Sequence, residues 1–248
     1  MNASSTVAVP VMRPSIGLLG TEPFRAAMEF LSHKLTYKQP LPEGDGHPVM
    51  IFPGLGSDGR AVAPLRDYCR SLGYTAFDWG RGFNKGPQGD VEAWLADLAE
   101  YVREQLAHHP QAATLIGWSL GGIYAREVGK ILAPRIRQVI TIGTPFNAEA
   151  DHTNVGWLFR LLSGSPATIA PQVSKRLRMP PPVPTTSIYS KTDGVVAWQT
   201  CRHDKAPRHV QDIEIEGSHI GMGWNSAALK VVADRLAQPV GAWRPFAQ

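Results

Sequence analysis

From about residue 48 onward, short β-branched apolar runs alternate with longer amphipathic stretches, the trace that a parallel sheet with crossover helices leaves in a chain. Six runs predict strands: PVMIF at 48–52, YTAFDW at 74–79, ATLIGW at 113–118, IRQVITIG at 136–143, TTSIYS at 185–190 and VQDIEIEG at 210–217. Between and after them, RAVAPLRDYCRSLG, VEAWLADLAEYVREQLAHH, GGIYAREVGKILA and SAALKVVADRLAQ repeat apolar residues at three- and four-residue spacings, which predicts helices packed on a sheet. The expected fold class is α/β, in three layers, with a mostly parallel central sheet and helices on both faces.

Residues 1–47 hold one predicted helix, EPFRAAMEFLSHKL, and a Pro/Gly-rich linker, expected to pack on the core formed by residues 48–248. No repeat and no second domain is visible. Residues 147–184 separate two strands by more than a standard crossover, and VGWLFRLLSG within them is an apolar patch with little polar relief. That segment reads either as a lid or pocket wall, or as an added core helix. PPPVP after it is a stiff spacer feeding the next strand.

Composition narrows the class. A chain of 248 residues, 43% hydrophobic and 19% charged, can bury a large core without a disulfide or metal to hold it. The net charge of +4 comes with no run of five lysines and arginines, so nucleic acid is not an implied partner. Cys69 and Cys201 form no CxxC pair, which suits a reducing compartment. Pro10, Arg13 and Pro14 interrupt the first apolar run and no stretch is long enough to cross a bilayer, so the expectation is a cytoplasmic protein with no transmembrane segment.

The candidate chemistry starts at GWSLGG, residues 117–122, where Ser119 lies between glycines at the junction of a predicted strand and a predicted helix. A serine on such a corner needs small neighbours at Gly117 and Gly121, and Gly122 relieves the same crowding. The corner exposes the Ser119 hydroxyl and leaves the Leu120 N–H at a helix N-terminus. A hydroxyl needs a base, and the base needs an orienting acid. YSKTDGVV puts Asp193 beyond the fifth strand, and EGSHIGM puts His219 beyond the sixth. An Asp-Gly turn or a surface histidine is the bland reading of either alone; three strand ends carrying Ser, Asp and His in that chain order argue for a Ser-His-Asp catalytic triad.

Other histidines fit less well. His108 and His109 close a helix, His33 and His47 precede or lie in the linker, and His152, His203 and His209 sit in polar loops; Asp204 and Asp212 are less well placed acids. No HExxH or paired Cys/His spacing calls for a metal, and the reaction requires no cofactor. FPGLGSDG after the first strand offers the Leu55 N–H as a second oxyanion-hole donor beside Leu120. The same letters spell a rival: Gly54, Gly56 and Gly59 form G-x-G-x-x-G, with Asp78 where a ribose-binding acid would stand. That dinucleotide-binding oxidoreductase reading ranks second, because it leaves Ser119, Asp193 and His219 unexplained. A protein of the same fold that binds without catalysis is a third reading.

FPGLGS, GWSLGG, YSKTDGVV and GSHIGM together resemble the α/β-hydrolase superfamily, in its lipase and carboxylesterase branch, over about residues 48–238. The resemblance implies a three-layer α/β-hydrolase fold with a lid-like insertion, Ser119 as nucleophile, Asp193 as acid, His219 as base, and Leu55 and Leu120 as oxyanion donors. It implies an esterase or lipase that cleaves a small ester with an apolar acyl group through an acyl-enzyme. Pro53-Gly54 stands where many lipases have His-Gly, which argues against long-chain triglyceride. Trp79, Phe83, Trp118, Trp198 and Trp224 fall at loops on the expected active face, and Trp157, Leu158 and Phe159 would join them from the insertion to line an acyl pocket. Activity is expected to fall as His219 becomes protonated below about pH 6.

Overall fold

The computed structural model describes residues 11–36, 43–147 and 171–247. Helix α1 spans Ile16–Thr36; after it come β1 (Pro48–Phe52), α2 (Ala63–Ser71), β2 (Thr75–Asp78), α3 (Val91–Leu106), β3 (Ala113–Trp118), α4 (Leu120–Ile131) and β4 (Ile136–Ile142). The described chain continues with α5 (Pro171–Arg178), β5 (Thr185–Tyr189), β6 (Val210–Glu214) and α6 (Ser226–Leu236). All six strands are parallel, in the order β2-β1-β3-β4-β5-β6.

Strand alternation builds the layers. Met50, Phe52, Leu115 and Val139 face α3 and α4, while Val49, Ile51, Ile116 and Ile140 face α2 and α6. Both faces are buried, so the strands read as nearly continuous apolar runs. Side-chain caps set helix starts: Asp90 accepts from the Ala93 N–H at 2.9 Å before α3, and Asn225 from the Ala227 N–H at 2.9 Å before α6.

The order of strands fixes where chemistry can happen. The chain leaves β1 for β2 on one side and returns to β3 on the other, so the loops after β1 and β3 diverge at the C-terminal edge and open the crevice that such sheets use for ligands. FPGLGS and GWSLGG are those two loops.

The insertion is described in part. VGWLFRLLSG, with Trp157, Leu158 and Phe159, lies outside the described residues. Of the rest, α5 packs on α4, with Leu177 in the core. Buried Arg126 of α4 ties the two flanks together: its guanidinium lies 3.8 Å from the centre of the Phe146 ring and donates to the Leu177, Arg178 and Met179 carbonyls at 3.1–3.3 Å.

Helix α1 begins six residues earlier than EPFRAAMEFLSHKL predicts and carries Pro23 in its interior, where the ring removes one backbone donor. Its amphipathicity is reversed: Glu22 is buried, whereas Phe24, Met28 and Leu31 are exposed. Cys69 and Cys201 are buried free thiols. Among the described residues, no helix is long and apolar enough to cross a membrane.

Candidate active site

Ser119 has φ 54° and ψ −123°, and among the described residues it is the one non-glycine with positive φ. Such a conformation costs about 1–3 kcal/mol and persists only where surroundings enforce it. The enforcement is crowding from three sides. A β-carbon on Gly117 would strike Gly121 and Gly122, one on Gly121 would strike the Phe52 carbonyl, and one on Gly122 would strike Thr144. The glycines therefore serve three different approaches, to the helix, to the β1 loop and to the loop after β4, rather than one shared corner. The Ser119 N–H donates to the Ile142 carbonyl at 2.8 Å, which ties the turn to β4.

The structure brings His219 and Asp193 to this serine. His219 Nε2 lies 3.1 Å from Ser119 Oγ, and His219 Nδ1 lies 2.7 Å from Asp193 Oδ2. With Nδ1–H donating to the carboxylate, Nε2 is left to accept the hydroxyl proton. The other oxygen of Asp193 accepts from the Val195 and Val196 N–H groups at 2.8 and 2.7 Å, which fixes its plane. Burial opposes charging His219, but the charge and hydrogen bond of Asp193, with Glu22 behind, outweigh it and hold its pKa above the ordinary 6.5. The loss of activity on acidification is thus expected to begin above the value near pH 6 that the sequence alone implies.

The β1 loop presses on the same serine. A β-carbon on Gly54 would sit 3.3 Å from Ser119 Cβ. Buried Asn84 shapes the loop: its backbone carbonyl accepts from the Gly56 N–H at 2.8 Å, and its side-chain amide donates to the Pro53 carbonyl at 2.9 Å. Gly56 adopts φ 70°, which only glycine takes freely. The Leu55 N–H, between these anchors, has no acceptor among the described residues. Leu120 opens α4, so its N–H has no intrahelical partner either.

Residues 49–246 match the alpha/beta hydrolase family. The chain belongs to that family. Among curated relatives, the pimeloyl-[acyl-carrier protein] methyl ester esterase of Aliivibrio salmonicida (strain LFI1238) is 28% identical over 117 residues, which cover 46% of this chain and 41% of the relative. The chain thus spans about two fifths of the length of the curated relatives it matches. Among solved structures, Aspergillus fumigatus lipase B superposes with a TM-score of 0.60 at 16% identity, over 82% of this chain and 56% of that one. Bromoperoxidase from Bacillus anthracis gives 0.57 at 17% identity, over 78% and 92%. At such identities the structures speak for the fold: a parallel sheet with helices on both faces, as in other alpha/beta hydrolases.

Within that fold the G-x-G-x-x-G reading is corrected. The Asp78 carboxylate accepts from Arg66 at 2.8 Å and from the Gly80 N–H at 2.9 Å, and a β-carbon on Gly59 would run into it. Helix α2 starts only at Ala63, so the helix that follows the glycines does not open on them as a dinucleotide-binding loop requires. One of the expected pocket aromatics is also corrected. Trp79 is a core residue stacked on Tyr124, because its indole N–H is satisfied by the Gly82 carbonyl. Trp198 stacks on Tyr189, between the charged ends of Lys191 and Arg202. Trp224 donates to the Ala26 carbonyl of α1 and meets Phe30 edge-on.

Trp118 backs the histidine loop, donating to the His219 carbonyl at 3.0 Å. Phe83 is 54% exposed beside Asn84. Trp157 and Phe159 lie outside the described residues, as does His152. His47 is buried against Asp45 and Thr114, and His203 against Asp212 and Arg126. Asp204 accepts from Asn147.

Two contributors escape the sequence reading. Asn84 carries no motif; its signal is confined to the glycine-flanked polar stretch GFNKGP. The other is α1, whose Glu22 and Glu29 reach the loops that carry Asp193 and His219. Their seven-residue spacing, two helical turns, puts them on one face.

Proposed function

We propose that this alpha/beta hydrolase cleaves carboxylic esters with Ser119 as nucleophile, His219 as general base and acid, and Asp193 as the group that orients the imidazole. Ser119 Oγ attacks the ester carbonyl as its proton passes to His219 Nε2. The Leu55 and Leu120 N–H groups receive the oxygen that becomes negative. Collapse breaks the carbon–oxygen bond to the alcohol, which leaves with the proton from His219. Water, deprotonated by the same nitrogen, then releases the acid and regenerates the serine. No cofactor takes part in these steps.

The observation that carries this reading is the unbroken relay of 3.1 Å and 2.7 Å from Oγ through the imidazole to the carboxylate. The esterase names of the relatives support an ester as the substrate class. An apolar acyl group fits Leu55 and Phe83, which flank the Asn84-braced loop, and we place Phe83 at the rim of its pocket, with Trp157 and Phe159 as further candidates. A series of nitrophenyl esters of rising acyl length tests the proposal. Turnover that disappears in Ser119→Ala supports it; no turnover across the series, or turnover equal in the variant, overturns it.

A further inference from the structure

The loops that bear Asp193 and His219 are held from outside the sheet. Glu22 Oε1 accepts from the Gly194 N–H at 2.8 Å and the His219 N–H at 3.0 Å, and Oε2 accepts from the Ile220 N–H at 3.1 Å. One carboxylate thus bonds the residue after the acid and the backbone of the base itself, across 172–198 residues of sequence. Glu22 is 1% exposed, and burying a carboxylate is costly unless several donors meet it. Three N–H groups do so, with the Arg25 guanidinium 3.7 Å away.

The rest of α1 repeats the grip. Arg25 donates to the Thr192 carbonyl at 2.7 Å, and Glu29 accepts from the Ser218 N–H at 2.7 Å and from Asn225 at 3.0 Å. A β-carbon on Gly194 would lie 2.6 Å from the Leu18 backbone, so the acid loop touches the helix directly. Yet α1 ends before residue 49, where the family match begins. The clamp is therefore an addition to the part of the chain that matches the family.

We infer that Glu22 is a positioning residue for the proposed ester hydrolysis: a buried carboxylate of α1 that holds the acid and histidine loops in register and places a second negative charge behind His219. The inference rests on the ester-hydrolase reading. The titratable and charged groups that face this centre are Asp193 from the β5 loop, Glu22 with Arg25 and Glu29 from α1, and the buried Cys201 thiol, which feels the charge of Asp193. Asp193 and Glu22 both favour the imidazolium that forms as Ser119 gives up its proton.

Two readouts test this on the full chain: the NMR titration of the His219 side chain, and the pH profile of kcat/KM on a nitrophenyl ester. In Glu22→Gln, His219 is expected to titrate roughly half to one pH unit lower, and the acid limb to move down with it. The plateau is expected to fall by about 10- to 100-fold as the loops lose register. Glu22→Asp is expected to return the titration toward wild type with only part of the rate. If Glu22→Gln does not fold, Glu22→Asp decides: a several-fold loss of rate supports the clamp, and a wild-type rate overturns it. A folded Glu22→Gln with the wild-type titration and profile overturns the inference, whatever its melting temperature. A wild type that neither turns over esters nor reacts at Ser119 overturns the hydrolase reading instead, while the NMR titration still reports on the clamp.

Discussion

His203 and His219 are both buried, both donate Nδ1–H to an aspartate, and both accept at Nε2, yet their surroundings charge them in opposite directions. His203 pairs with Asp212 at 2.8 Å and accepts from the Arg126 guanidinium at 3.1 Å. Burial together with that cation outweighs Asp212 and Asp204 and pulls its pKa below 6.5. His219 has a serine hydroxyl at Nε2 and the Glu22 carboxylate behind it, and its pKa is raised. A histidine–aspartate pair is therefore no signature of a base by itself. What differs is whether the free nitrogen faces a group that can yield a proton or a cation that fills the position.

The sharpest break of this comparison is deletion of each ring. Ser119→Ala and His219→Ala are expected to lower kcat/KM on a nitrophenyl ester by about 10⁴-fold or more, while His203→Ala leaves it within about threefold. The aspartates separate next. Asp193→Asn is expected to cost about 10³- to 10⁴-fold in kcat at little cost in stability. Asp212→Ala is expected to spare kcat and lose about 3 kcal/mol in denaturant unfolding, because it leaves His203 and buried Arg126 facing each other without the carboxylate.

The elbow and the clamp differ in how far the sequence revealed them. Ser119 is positioned by its own neighbours: Gly117, Gly121 and Gly122 each remove a β-carbon that would collide, so six letters carried the geometry. Strand and helix periodicity likewise placed the β1, β3 and α3 boundaries within a few residues, because the buried sheet makes long apolar runs. Glu22 acts through backbone N–H groups nearly two hundred residues away, which no local pattern records. In α1 the periodic rule even points the wrong way, since the carboxylates face inward and Phe24 and Met28 face outward. Trp79 misled for a related reason: an aromatic at a strand end looks the same whether it lines a pocket or fills the core beneath it.

Two smaller effects sharpen the account. Asn84→Ala frees the Pro53 carbonyl two residues before Leu55 while leaving the backbone bonds of residue 84 to the loop, with an expected 10- to 100-fold loss in kcat and a small change in KM, read by steady-state kinetics. The smallest is the pH dependence. Catalysis needs neutral His219, so the acid limb of kcat/KM is expected above pH 6.5. For stability the sign reverses: the favourable imidazolium–carboxylate interaction of His219 is fully present below the unfolded pKa of about 6.5 and is lost as pH rises through the folded value. His203, with its lowered pKa, instead destabilises the fold as acidification protonates the unfolded ring.

The most direct measurement is mass mapping of the protein after reaction with a fluorophosphonate probe. A single adduct on the peptide carrying Ser119 in wild type and His203→Ala, absent in His219→Ala, is the predicted result. An adduct elsewhere, or one on Ser119 that forms equally fast without His219, would contradict the claim that this imidazole and not its buried counterpart activates the serine.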